Sequence, residues 1–199
     1  MRAVRIVLTG GPGAGKTTVA QALVAAKPNH FALVPEAATQ VYQQLQTNWS
    51  RLDLAGRRDL QHRIYRLQLE QESRIAAANP GKTLLLDRGT VDGAAYWPDG
   101  PGTFWKAMET TWADELSRYD AVIWMQTIAA RGLYETRTNP VRHENPQAAI
   151  EIGRKLEALW QRHARFHRVE TYAAMRQKVA AVAELVEALA GRTGKSRTV

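Results

Sequence analysis

Between Leu8 and Thr18 the chain reads "LTGGPGAGKTT". Two kinds of residue cooperate there. Gly10, Gly13 and Gly15 let the backbone wrap closely and point its N–H groups inward. Lys16 and Thr17 then bring an ammonium and a hydroxyl. Gly10-x-x-x-x-Gly15-Lys16-Thr17 is a complete phosphate-loop pattern. In such a loop Lys16 reaches the β- and γ-phosphates of a nucleotide, and the Thr17 hydroxyl ligates Mg²⁺. Pro12 has no N–H to donate. The cradle is therefore expected to use the backbone donors of Gly13, Ala14, Gly15, Lys16, Thr17 and Thr18. The positive end of a helix opening at Gly15 adds to the field.

Phosphate is held; the rest of the chain must say what becomes of it. A small-molecule kinase needs a carboxylate near the acceptor hydroxyl and arginines around the transferring group. Glu36, in "LVPEAA", accepts a proton from such a hydroxyl or hydrogen-bonds a sugar, or else it only caps the next helix. Asp87 and Arg88 close "LLLDRG". Asp87 holds Mg²⁺ or acts as the base, the alternative again being a helix cap. Arg88 contacts substrate or phosphate. Asp92 stands one helical turn further on, in the same pocket or as a solvated acid. Trp97 either stacks on a flat substrate or belongs to the core. Further along, "AARGLYETRTNPVRHENP" carries Arg131, Arg137 and Arg142 in backbone broken by two Asn-Pro pairs. This segment, about 129–146, reads as a closing lid or as a solvated loop. Arg137 and Arg142 are the candidates for the transferring phosphate, because a guanidinium fork matches phosphate oxygens. His143 reads as incidental.

These residues need elements to position them. "VRIVLTG" is a short β-branched run, a buried strand from Val4 to Thr9. A helix is expected from Gly15 to about Ala26, and a second strand over Phe31–Val34. A long helix from about Leu52 to Ala78 carries Leu60, Ile64, Leu67 and Ile75 on one stripe. "KTLLLDRG" is a third strand ending near Asp87. Trp97 to Gly102, "WPDGPG", has the composition of a turn. "YDAVIWMQT" is a fourth strand, with Trp124 in the core and Gln126, no acid, at its end. A helix over about Pro146 to Phe166 carries Trp160 on its buried stripe. A fifth strand, "HRVET", precedes a helix over Ala173–Ala190. Alternating strands and helices imply an α/β fold with a parallel sheet covered on both faces. Ligands of such sheets bind beyond the carboxyl ends of the strands. The phosphate loop, Glu36 and Asp87-Arg88 all fall there. One domain over 1–191 and a basic tail over 192–199 is the expected organisation.

Composition narrows the classes. There is no cysteine among 199 residues, which excludes disulfides, thiolate chemistry and Cys-ligated zinc. No apolar run reaches the ~20 residues of a membrane span, and the N-terminus lacks a leader pattern. A cytoplasmic location is expected. The formal net charge is +8, which suits a partner that is an anion, including weak binding to an acidic surface. Arg51, Arg57, Arg58, Arg63 and Arg66 are not interleaved with stacking aromatics, so nucleic acid is not the expected partner. The Asn-Lys-x-Asp of a GTPase switch is missing, and an AAA+ motor requires more chain.

Taken together, "TGGPGAGKTT", "VPEAA", "LLLDRGTVDGAAYW", "VRHENPQAA" and "MRQKV" resemble a family of small P-loop ATPases and kinases. These have an AAA-type ATP-binding domain and are similar to the ribosylnicotinamide kinase half of NadR and to the TRPL-translocation-defect proteins. The layout is more distantly similar to thymidylate and deoxynucleoside kinases. The resemblance implies a nucleoside/nucleotide-kinase-like P-loop NTPase fold. Its five parallel strands would run in the order 2-3-1-4-5, with Mg²⁺ and ATP or GTP bound. It implies that Lys16 and Thr17 serve phosphate and metal, that Glu36, Asp87, Arg88 and Asp92 line the acceptor pocket, and that Arg142 belongs to the lid. The function expected is a kinase acting on a nucleoside-like or other small hydroxyl substrate. The alternative is a nucleotide-binding regulator or weak NTPase with a protein or anionic-lipid partner.

Overall fold

The structure, a computed structural model, describes residues 2–131 and 146–195. Five parallel strands form one sheet: β1 (Arg5–Thr9), β2 (Phe31–Val34), β3 (Thr83–Asp87), β4 (Ala121–Met125) and β5 (Phe166–Val169). Their order is β2-β3-β1-β4-β5, as the resemblance implies. From β1 the chain crosses to the edge strand β2, returns to β3 beside β1, and then passes to β4 and β5 on the other side. The end of β1 is therefore flanked by the ends of β3 and β4, the switch point where open α/β sheets bind ligands. In the register, Leu8 lies opposite Asp87 and Thr9 opposite Trp124.

Alternation along the strands divides the core in two. Ile6, Leu8, Leu85 and Ile123 face α1 (Lys16–Ala26) and α8 (Met175–Lys195). Val7, Leu84, Leu86 and Val122 face the other way, onto a cluster that includes Val91, Trp97, Phe104, Tyr119 and Trp160. These come from α4 (Asp92–Tyr96), α5 (Pro101–Ala107), α7 (Pro146–Trp160), the turns flanking α4 and the turn before β4. The remaining helices are α2 (Ala37–Leu45), α3 (Leu54–Ala78) and α6 (Trp112–Ser117).

Three expectations need correction. The apolar stripe of α3 is not its buried face: Leu60 is buried, but Ile64, Leu67 and Ile75 are only half-buried. Gln61, Gln68, Gln71 and Glu72 are buried instead. Donors and acceptors from the β3–α4 turn and from Tyr119 and Arg118 meet Gln68 and Glu72, so their burial is compensated by hydrogen bonds, while Gln71 Oε1 is left without a partner among the described residues. The "WPDGPG" stretch is also only partly a loop. Pro101 occupies the first turn of α5, where its missing N–H costs nothing and its fixed φ suits the helix. The seventh helix stops at Trp160, short of Phe166.

Candidate functional site

The loop after β1 is shaped by what surrounds it. Gly10 has φ +132°, and a Cβ there would lie 2.2 Å from the Met125 carbonyl oxygen. Only glycine lets the chain leave β1 this close to β4. Gly15, at φ +83°, turns the chain in the left-handed region immediately before α1. The Lys16 side chain is buried and donates to the carbonyls of Gly10 (3.0 Å) and Gly11 (3.2 Å). Ala14 is buried, while Thr17 and Thr18 are exposed at the mouth. Thr127 Oγ1 donates to the Pro12 carbonyl at 2.5 Å and ties the loop to the segment after β4.

Asp87 ends β3 beside the loop. Its Oδ2 accepts from Thr17 Oγ1 at 2.5 Å, and its Oδ1 is buried without a hydrogen-bond partner. Burial pushes its pKa up and the Glu36 charge pushes the same way, against the pull of Lys16, the Thr17 hydrogen bond and Arg88. The next residue, Arg88, has φ +80°, a conformation that costs a non-glycine residue on the order of 1–3 kcal/mol. What holds it is a ring of partners. Its Nε donates to Glu36 Oε1 at 2.5 Å, its Nη1 to Asp92 Oδ2 at 2.9 Å, and its carbonyl accepts from Gln68 Nε2 at 3.3 Å. Burial opposes its charge, but Tyr96, Glu36 and Asp92 keep it firmly cationic.

Glu36 stands at the start of α2 and makes no side-chain cap bond there; it is engaged by Arg88 and by Thr39 Oγ1 at 2.6 Å. Burial alone would raise its pKa. The charges of Arg88 and Lys16 and the two hydrogen bonds outweigh burial and hold it at about 2. Asp92 is buried, not solvated. Besides Arg88 it accepts from Thr9 Oγ1 (2.9 Å) and from Trp160 Nε1 (2.7 Å). Thr9 and Trp160 are thus site-building residues that a reading by strand and helix stripe assigns to structure alone.

Beside this cluster lies a cavity of about 550 Å³, in the size range of small-molecule sites. Glu36, Arg88 and Asp92 line it, with Pro12 from the phosphate loop. Its other walls are largely aromatic: Tyr42, Trp49, Tyr65, Tyr96 and Trp97. Trp97 is both core and wall. It packs edge-on against His62 and Phe104, donates from Nε1 to Thr103, and still reaches the cavity. Gln61 and Gln68 of α3 add amides. Their seven-residue separation on one helix face is the only sequence signal they carry. Among the described residues, both cations of the lining are paired with acids: Arg88 with Glu36 and Asp92, Lys155 with Glu151 at 3.0 Å. Arg137 and Arg142 lie outside the described residues.

No curated protein matches the chain in sequence. Among solved structures the fold is similar to NadR in complex with NAD and AMP-PNP, with 17% identity and a TM-score of 0.66. That match covers 95% of this chain and 50% of the NadR chain, so this chain spans about half of that protein. It is also similar to thymidylate kinase from Candida albicans, with 15% identity, a TM-score of 0.68, and 94% and 92% of the two chains covered. These likenesses identify the fold as that of P-loop kinases. The profile of the AAA-domain family matches residues 5–177, from β1 into the first turn of α8 and across the whole phosphate loop and cavity wall, and by that match the chain belongs to the AAA-domain family.

Proposed function

We propose that this protein is a kinase that moves the γ-phosphoryl group of ATP or GTP onto the hydroxyl of a planar, uncharged, nucleoside-like acceptor. The observation that carries the reading is the unpartnered, buried Oδ1 of Asp87, beside Thr17 and the phosphate loop and one residue from the wall of an aromatic cavity. A buried carboxylate oxygen without a donor is costly unless a ligand completes it. A hydroxyl and a carboxylate are also the hard oxygen donors that suit Mg²⁺ arriving with a nucleotide. Thr17 and Asp87 would hold that ion, whose chemistry is to neutralise charge growing on the phosphates. Lys16 and the loop amides orient the triphosphate.

On the acceptor side, Glu36 fixes Arg88 and is too weak a base, at about 2, to be the first choice for the proton. Asp87, whose pKa burial and the Glu36 charge raise, is the stronger base and stands one residue from the cavity wall. The aromatic walls favour a flat ring, and the amides of Gln61 and Gln68 offer polar contacts to it. The buried pairing of Arg88 with Glu36 and Asp92 speaks for an acceptor without a phosphate of its own. Arg137 and Arg142 would close over the transferring group.

The test is diphosphate release from ATP and GTP with Mg²⁺, alone and with a panel of nucleosides, nucleoside monophosphates and sugars. One uncharged compound is expected to raise turnover manyfold and to leave as its phosphate ester. Asp87→Asn is then expected to lower kcat by roughly a hundredfold or more, the scale of a lost general base, with nucleotide binding retained. Slow hydrolysis indifferent to every compound would instead make the chain a nucleotide-dependent binder. Unchanged transfer by Asp87→Asn would remove Asp87 from the chemistry.

A further inference from the structure

We propose that Lys178, from the "MRQKV" stretch that opens α8, is a positioning residue of the phosphate loop. Its side chain is buried, with 2% exposure. Its Nζ donates to the Ala14 carbonyl at 3.0 Å and to the Gln126 carbonyl at 2.9 Å. A buried ammonium is retained only where acceptors replace its water, and here one of those acceptors is a backbone oxygen of the phosphate loop itself. Across the trans peptide from Ala14 to Gly15 the carbonyl and the N–H point in opposite directions. A cation that holds the Ala14 oxygen toward α8 therefore turns the Gly15 N–H away from α8, toward the phosphate side of the loop.

Two neighbours make the docking close. A Cβ on Gly15 would lie 2.7 Å from Met175 Cε, so α8 is seated directly against the loop. Gln126 is itself fixed, its N–H donating to the Val169 carbonyl and its Oε1 accepting from the Thr171 N–H. Lys178 thus ties the end of β4 to the peptide plane that presents a phosphate donor, and leaves a full positive charge behind it. This inference rests on phosphate binding by the loop and is independent of which acceptor is used.

The probe is Mg²⁺-tripolyphosphate, which reports on the cradle without a base or an acceptor. Titration calorimetry compares the wild type with Lys178→Met, which removes donors and charge, and Lys178→Gln, which keeps donors only. The methionine variant is expected to bind at least about tenfold more weakly, and the glutamine variant to fall between it and the wild type. A purely structural lysine would lower the melting temperature of the free protein yet leave the affinity of the folded fraction unchanged, and that result overturns the proposal. Should a variant prove insoluble, the Lys178 ammonium resonance of the ¹⁵N-labelled wild type decides. It is expected to shift on titration with tripolyphosphate, and an unmoved resonance overturns the proposal equally. A wild type that binds neither tripolyphosphate nor nucleotide would sink both this inference and the kinase reading. A wild type that binds while the variants match it sinks this inference alone.

Discussion

Arg88 is the residue on which the cavity side of the candidate site turns. One guanidinium is shared between Glu36 and Asp92, on a backbone held at φ +80°. Removing one partner of a buried ion pair is far more damaging than removing a neutral hydrogen bond, because a charge is left under-compensated. Asp92→Asn is therefore expected to cost about 3 kcal/mol of unfolding free energy. Thr9→Val, which removes one neutral donor to the same carboxylate, is expected to cost about 1 kcal/mol. Urea unfolding with matched m-values measures both, and equal costs would mean that the charge of Asp92 contributes little. Glu36, Asp87 and Arg88 were legible in the sequence because each directly follows an apolar strand run, where the sheet delivers side chains to the binding edge. Thr9 and Trp160 were not. Their bonds to Asp92 span 83 and 68 residues, and no local pattern records a contact made across the fold.

At the scale of elements, β1 and α1 were readable almost to the residue, since a short β-branched run followed by a glycine loop admits one arrangement. What the sequence did not reveal is how hard β1 and β4 press on that loop. Gly10→Ala is expected to abolish nucleotide binding, seen as loss of the rise in melting temperature that Mg²⁺-nucleotide gives the wild type. The new methyl would meet backbone, not a side chain that can swing away. Gly102→Ala, inside α5 with nothing near its Cβ position, is the control and should stabilise by roughly 0.5–1 kcal/mol. Equal behaviour of the two variants would show that the loop has room to shift. The rotation of α3 was out of reach for a physical reason. Hydrophobic periodicity scores apolar burial, whereas α3 buries a glutamine-glutamate row whose hydrogen bonds are made largely across the fold. Glu72 alone accepts from Gln68, Tyr119, Arg118 and Arg5.

Over the whole molecule, the sheet separates the two halves of the candidate site. α1 and α8 back the phosphate loop from one face, while α3, α4 and α7 wall the cavity from the other. They meet at the ends of β1 and β3, where Thr17 reaches Asp87 and Arg88 reaches Glu36. A ligand that binds only one side should stiffen that side first, because local opening follows local contacts. Mg²⁺-nucleotide alone is therefore expected to slow amide exchange in the loop, the first turns of α1 and the start of α8. The cavity helices α2 and α4 should be left near their free rates until an acceptor is added. Exchange mass spectrometry on the free protein and on the two states reads this directly. Protection spreading at once through α2 and α4 would mean that nucleotide binding already organises the acceptor cavity. The route between them would then be Pro12, which belongs to the phosphate loop and to the cavity wall alike.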